Sequence, residues 1–401
     1  MIDKNLILKE WDLSGVPSPS YVLHQSLLDE NLRVIDKVRH EAGVEIIVAL
    51  KANATWAIFP KLSEHSDGAT ASSLSEARLV SEKMGVKAHT YAPIYTTEEI
   101  EEILTYSSHI TFNSLAQYHR FADKAHDKGI SCGLRVNPEY STVETDLYNP
   151  CSPTSRLGIR AIDLESLPAG IEGLHFHALC ESRPSDLRGT LQAVEERFGR
   201  FFHQIKWLNM GGGHLITHQE YDEDELIQLL KEFKAKYPHL RIILEPGSAF
   251  TWDTGVLLAR VEDIVHNGGR NTLMLNVSFA CHMPDCLEMP YKPTIIGMHD
   301  SAVEEEAWYM GGNSCLAGDT YGAWSFDENP SQQMKRDTHQ KTVHIPQVGD
   351  PVVFRDMIHY TMVKTTMFNG VTHPSLVIYD PEEGFEVIRT FSYQDYKHRM
   401  G

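Results

Sequence analysis

The chain lacks paired cysteines. Its six, Cys132, Cys151, Cys180, Cys281, Cys286 and Cys315, are scattered through 401 residues with no CxxC spacing. In a chain of this length that pattern excludes a disulfide scaffold and points to free thiols in a reducing compartment. Long hydrophobic runs are also missing, so no stretch is long enough to span a bilayer. The opening residues, MIDKNLILKEWDLSG, have no basic flank followed by an apolar stretch, and no secretory signal is expected. Positive charge is scarce: 36 Lys and Arg stand against 55 Asp and Glu, a formal net charge of −19. That balance excludes nucleic acid as a partner, because phosphate binding needs a basic surface. It suits a cationic small molecule drawn by the field of the protein, and it equally suits plain solubility. Internal repeats, low-complexity tracts and linkers are absent. A soluble cytoplasmic protein is the expectation.

What is present is ordinary globular composition, 42% hydrophobic and 23% charged, with length enough for two domains. Short apolar runs recur: VEIIVALKA (44–52), DGATASS (67–73), AHTYAP (88–93), HITFNS (109–114), SCGLRVNP (131–138), EGLHFHAL (172–179), IKWLNMGGG (205–213) and RIILEPG (241–247). Helical patterns such as LSEARLVSEKMG and DEDELIQLLKEFKAKY separate most of them. Eight apolar strands alternating with helices are the pattern of a (β/α)8 barrel of the TIM type. The barrel is expected over 35–254. From 255 to 401 strand-like segments such as TGVLLARVEDIV, TLMLNVS and HIPQVGDPVVFRDM follow one another without helical periodicity. These predict a second, all-β domain, to which the N-terminal segment 1–34 contributes.

In such barrels chemistry sits at the carboxyl ends of the strands. Lys51 ends the first run, where a charge is costly unless it is paired or functional. An amine partly withdrawn from water has a lowered pKa and can form an imine with an aldehyde, and a lysine snorkelling at a strand end is the plainer alternative. Gly211-Gly212-Gly213 follows the seventh strand, where backbone N–H groups can converge on a phosphate, or form only a flexible turn. Glu245 follows the eighth strand, placed either beside a heteroaromatic nitrogen or in a structural ion pair. His175 and His177 share one face of the sixth strand. They could ligate zinc in a hydrolase, or set one imidazole against a flat cofactor. Cys315, in MGGNSCLAGD, is a lone cysteine among small residues: inert filler, or a thiol in a functional loop that donates a proton to a carbanion.

Taken in order, ALKAN around Lys51, NP…SRLGI at 149–159, FHALCE at 176–181, NMGGG at 209–213, LEPG at 244–247, HMPD at 282–285, SCLAGD at 314–319 and YTMVK…FNG at 360–370 resemble the fold III decarboxylases that use pyridoxal 5′-phosphate (PLP). The resemblance covers nearly the whole chain and is closest to the carboxynorspermidine/carboxyspermidine branch. It implies that Lys51 carries the cofactor as an imine, that His177 stacks on its ring and that Glu245 pairs with the ring nitrogen. Gly212, Gly213, Gly247 with Ser248, and Tyr360 would hold the phosphate or lie beside it. Cys315 would be the proton donor, contributed across a head-to-tail homodimer with shared active sites. His282, Asp285 and Asp319 would face the amines of a polyamine amino acid substrate, with Glu181 and Arg156 as further candidates and Ser248 beside them. Close relatives often have an acidic residue where this chain has Ser248, and Asp-Ser or Asp-Thr-Ser where it has Asn276-Val277-Ser278. Leu316 replaces the aspartate that follows the catalytic cysteine of ornithine decarboxylases, which argues against ornithine. Diaminopimelate or another basic amino acid, a non-catalytic PLP-binding relative, and the zinc hydrolase remain as competing readings.

Overall fold

The computed structural model describes residues 4, 7, 8, 11–143, 149–289, 291–303, 307–327 and 346–401. The chain divides into two compact units, Asn31–Trp252 and Met1–Glu30 with Asp253–Gly401.

The first unit is a parallel barrel. Its strands run in chain order around the ring: Glu45–Ile46 with Val48–Ala49, then Ala69–Ala71, Ala88–Tyr91, Ser107–Phe112, Ser131–Asn137, Ile171–His175, Trp207–Asn209 and Arg241–Leu244. The first strand is interrupted at Ile47, and its two halves complete the ring by pairing with opposite neighbours. Glu45–Ile46 pairs with Arg241–Leu244, whereas Val48–Ala49 pairs with Ala69–Ala71. Each apolar run of the sequence therefore becomes a strand, most of them buried along nearly their whole length and Ala88–Tyr91 alternating buried with half-buried. Amphipathic helices cover the outside. Ser73 and Ser114 cap two of them by accepting from the N–H three residues on, at Glu76 and Gln117.

Trp207 fills the centre of the barrel between Ile47 and Ile243. The facing strands make room for it with glycine: a Cβ at Gly173 would lie 2.0 Å from the indole and one at Gly133 2.2 Å. The indole N–H donates to Ser131 Oγ (2.9 Å), which donates to Glu172 Oε2 (2.6 Å). Below it His89 and His109 stack with ring centroids 3.8 Å apart. Polar groups thus close one end of the barrel, and the opposite end carries the chemistry.

In the second unit, strand Ser20–His24 pairs parallel with Ser375–Asp380 and antiparallel with Gly255–Asn267. Gly255–Asn267 also pairs with Arg270–Leu275 and Pro351–Arg355. Val22, Leu27, Val256, Leu258 and Val377 form its core. The reading of this region as strands alone is incomplete. Phe279–His282, Pro284–Glu288 and Tyr393–Met400 are helical. The last has a capping box, in which Ser392 accepts from the backbone and Asp395 returns a bond to the Ser392 N–H. Residues 344–345 of the HIPQVGDPVVFRDM segment lie outside the described residues.

Candidate active site

Lys51 follows the first barrel strand by two residues. Its side chain is open to solvent yet ringed by protein. The desolvation lowers its pKa; the negative charge of Glu245 opposes that shift and Arg135 adds to it. Glu245 comes directly after Arg241–Leu244 and is buried, with Oε1 accepting from Asn209 Nδ2 at 2.7 Å. Burial raises the Glu245 pKa, while the Asn209 bond and the Lys51 charge pull it down. Glu76, in the first turn after Ala69–Ala71, is a further carboxylate beside Lys51; burial raises its pKa and Lys51 lowers it.

His175 ends its strand and is buried, with Nε2 3.6 Å from Glu245 Oε2 and its ring edge-on to Tyr91 at 5.3 Å. Neither of its ring nitrogens has a hydrogen-bond partner among the described residues. His177, two residues on, accepts the Gly212 N–H at Nδ1 (2.9 Å). Its proton therefore resides on Nε2. Burial, followed by the charges of Lys51 and Arg135, holds its pKa well below the usual imidazole range, so the ring is neutral. Arg135 lies 4.7 Å from the Tyr91 ring centroid.

The triple glycine is the tightest part of the site. Gly211 and Gly213 have φ of +70° and +95°. A Cβ at Gly211, Gly212 or Gly213 would come within 2.5, 2.3 and 2.2 Å of the carbonyl oxygens of Phe176, Glu245 and Leu179. The loop is stitched to its neighbours by Glu245 N to Gly211 O (2.8 Å) and Ser182 N to Gly213 O (2.8 Å). Gly247 lies against the first strand, where a Cβ would sit 2.6 Å from Ala52 Cβ, and Ser248 opens the short helix Ser248–Thr251. The barrel thus brings Lys51, His177, Gly212, Gly213, Glu245 and Gly247 to the carboxyl ends of its strands. Glu181 is exposed with φ +47°, and Arg156 is exposed in the loop whose backbone oxygen accepts from Asn113.

The second unit holds the other candidates. Cys315 is exposed, in the loop between strands Trp308–Gly311 and Thr320–Phe326. Asp319 is buried and accepts from Ala280 N, Ser314 N and Ser314 Oγ. Asp285 pairs with Lys364, which also reaches Glu288. His282 is buried; its Nδ1 accepts from Ser278 N (3.1 Å), and burial lowers its pKa to about 3. Tyr360 opens a 3-10 turn with φ +29°. All six cysteines are free.

Arg135, Tyr91, Asn209 and Glu76 escaped the reading of the sequence. Arg135 had a signal, a charge inside the apolar run SCGLRVNP, and Asn209 sat next to the glycines. Nothing local marks Tyr91 or Glu76, whose SxxE spacing reads as a helix cap.

A family model described as "Pyridoxal-dependent decarboxylase, pyridoxal binding domain" matches residues 30–252. The chain belongs to the pyridoxal-dependent decarboxylases. Among relatives of this family, carboxyaminopropylagmatine decarboxylase of Synechocystis is 47% identical over 98% of both chains. Carboxynorspermidine/carboxyspermidine decarboxylase of Campylobacter jejuni is 40% identical over 96% of this chain and 98% of its own. The crystal structure of carboxynorspermidine decarboxylase from the same organism, complexed with norspermidine, superposes with a TM-score of 0.85 at 39% identity, over 96% of this chain and all of the other.

The residues present fit the cofactor of the pyridoxal-dependent decarboxylases. The three glycines are packed so closely on the carbonyl oxygens of Phe176, Glu245 and Leu179 that none could carry a side chain, which leaves bare backbone at the strand ends for a phosphate. Lys51 is a solvent-accessible amine whose neutral form is favoured by desolvation. Glu245 is a buried carboxylate suited to a cationic ring nitrogen, and His177 is an uncharged flat ring at the same strand ends. Among the described residues no group of three or more His, Cys, Asp or Glu is arranged to hold a metal ion, and no helix is long and apolar enough to cross a membrane.

Proposed function

We propose that this PLP-dependent enzyme decarboxylates a polyamine amino acid, carboxynorspermidine or carboxyspermidine, to norspermidine or spermidine. The observation that carries the reading is end-to-end identity of 40% and 35% with decarboxylases named for those two substrates. A second reading rests on the relative at 47% identity, whose named substrate is agmatine extended by a carboxyaminopropyl group. The reacting end is then the same α-amino acid, but the distal end is a guanidinium rather than an ammonium. A guanidinium is planar and offers paired donors, so a carboxylate can discriminate the two by geometry.

When bound, the cofactor supplies the electron sink for the pair left on Cα as the bond to the carboxylate breaks and CO2 leaves. In this proposal Lys51 would be the amine that anchors the cofactor, its neutral form favoured by desolvation. Gly212, Gly213, Gly247 with Ser248, and Tyr360 hold the phosphate through backbone and hydroxyl groups. Glu245, buried and held by Asn209, would favour a protonated ring nitrogen. His177 is kept neutral by its burial and by the Gly212 N–H on Nδ1, which suits it to lie against the ring. Cys315 of a second copy of the chain then returns a proton to Cα. Its S–H bond breaks as the C–H bond forms, and solvent reprotonates the thiolate. Asp285 and His282, with Glu181 as an outer candidate, meet the distal amines, and Arg156, itself a cation, is left to the substrate's carboxylate. Since Lys364 already occupies Asp285, a distal cation there has to share or displace that lysine. A cytoplasmic homodimer is part of the proposal.

Carboxynorspermidine, carboxyspermidine, carboxyaminopropylagmatine, diaminopimelate, ornithine and lysine assayed side by side on purified protein test the reading. A kcat/KM highest for one of the first two supports it. Preference for the guanidinium substrate selects the second reading, and preference for diaminopimelate or ornithine overturns both.

A further inference from the structure

The loop that carries Cys315 is held from two sides, and both holds converge on one short helix. Asp319 closes the loop: its N–H donates to Leu316 O (2.9 Å), and its carbonyl accepts the Gly312 N–H (2.7 Å). Its carboxylate takes the Ser314 N–H (3.1 Å) and hydroxyl (2.6 Å) on Oδ2 and the Ala280 N–H (3.0 Å) on Oδ1. Ala280 belongs to helix Phe279–His282. The second hold is on the cysteine itself. The Cys315 N–H donates to Asn369 Oδ1 at 2.8 Å, across 54 residues of sequence. Asn369 sits at φ +56°, ψ +11°, in the turn Phe368–Gly370. That turn is tied to the same helix, with Thr366 N donating to Cys281 O (2.9 Å) and Cys281 Sγ contacting Phe368 O (3.6 Å). The position demands a residue that tolerates the left-handed region and carries an acceptor, and asparagine meets both needs.

We propose that Asn369 and Asp319 are positioning residues for the Cys315 thiol, with Asn369 fixing the cysteine and Asp319 the loop around it. The inference rests on Cys315 being the proton donor. Asp319, three of whose acceptor positions are taken by its own unit, thereby serves the protonation step and not the amines of the substrate. A donor displaced by about 1 Å loses up to about 100-fold in rate, and a thiol free to wander competes poorly with water, which can protonate from either face.

The experiment decarboxylates the preferred substrate of the panel in D2O with the full-length holoenzyme and reads kcat, KM and the stereochemistry of the single deuterium delivered to Cα. Asn369→Gly removes the acceptor while keeping the left-handed backbone accessible. It is expected to lower kcat about 10-fold to 100-fold, to leave KM within about twofold, and to erode the stereochemical purity of the deuterium. Asn369→Asp retains an acceptor oxygen and should restore most of that purity. On a Cys315→Ala background, Asn369→Gly should add no further loss, because both changes act through one group. Independent of turnover, amide hydrogen exchange at Cys315 in cofactor-free protein should accelerate in Asn369→Gly and recover in Asn369→Asp. If Cys315→Ala loses rate and stereochemistry but Asn369→Gly retains both, the positioning inference is overturned while the donor reading stands. If Cys315→Ala itself retains both, the donor reading fails first. Should Asn369→Gly not fold, Asn369→Asp and Asp319→Asn carry the same measurement, with Asp319→Asn expected to erode stereochemistry; wild-type stereochemistry in Asp319→Asn would overturn the role of that residue.

Discussion

Gly212→Ala isolates the cradle from every other property of the site. Its backbone is outside the left-handed region, so conformational strain is not at issue. The added Cβ would stand 2.3 Å from the Glu245 carbonyl oxygen, where ordinary contact begins at 3.4 Å. The loop must therefore retreat by about 1.1 Å, the difference between those two distances. That retreat breaks or lengthens the bond from Gly212 N–H to His177 Nδ1. Overpacking costs about 1–3 kcal/mol, and the lost hydrogen bond about 0.5–1.5 kcal/mol. A misplacement of about 1 Å in groups that hold a reacting molecule costs on the order of 100-fold, or about 2.7 kcal/mol. We expect the dissociation constant for PLP, from spectral titration of the cofactor-free protein, to rise by about 10-fold to 100-fold, the worth of one hydrogen bond to a charged phosphate. Thermal unfolding should show a drop of several degrees. Gly199→Ala is the control: its Cβ meets nothing closer than 4.0 Å and its φ is −55°, so the variant should match or slightly exceed wild-type stability. PLP binding within twofold of wild type in Gly212→Ala, with an unchanged melting temperature, would refute the cradle argument.

Three further outcomes follow from the same geometry. Lys51→Ala should abolish the absorbance of protein-bound cofactor and all turnover; a normal spectrum with full activity removes Lys51 as the anchor. Glu245→Gln deletes the charge that raises the Lys51 pKa, so cofactor capture should shift to lower pH, and turnover should fall on the order of 100-fold; an unmoved pH profile refutes the pairing. The pKa values of His109 and His214 are lowered to about 4 by burial, and that of His89 lies well below its usual value. With the unfolded groups titrating near the ordinary imidazole value of 6.5, the unfolded chain binds more protons between about pH 6.5 and 4. Stability should therefore fall as pH drops through that window. Chemical denaturation at pH 7.5 and 5.0 reads the loss, and a His89→Phe/His109→Phe variant should lose less between the two. Equal losses would exclude the stacked pair as a source.

The legible part of this protein was what repeats or ends locally. Each of the eight apolar runs became a barrel strand because burial on both faces demands a continuous apolar stretch. Lys51, the triple glycine and Glu245 could be singled out because they break such runs where the barrel fold exposes its chemistry. The helix Tyr393–Met400 carries a local signal as well, the capping pair Ser392 and Asp395, set among strand-like neighbours that mask it.

What the sequence alone determined, then, was the period of its elements and the residue types at their ends, since both are properties of neighbouring positions. Tertiary structure decided which of those residues meet. It set Asn209 against Glu245, Arg135 over Tyr91 and Gly212 on His177, folded Ser20–His24 between strands more than 200 residues away, and turned Asp319 inward while Asn369 took hold of Cys315. Such pairings join groups distant in the chain, and their geometry depends on the closure of the ring and the register of the sheet, which no local window contains.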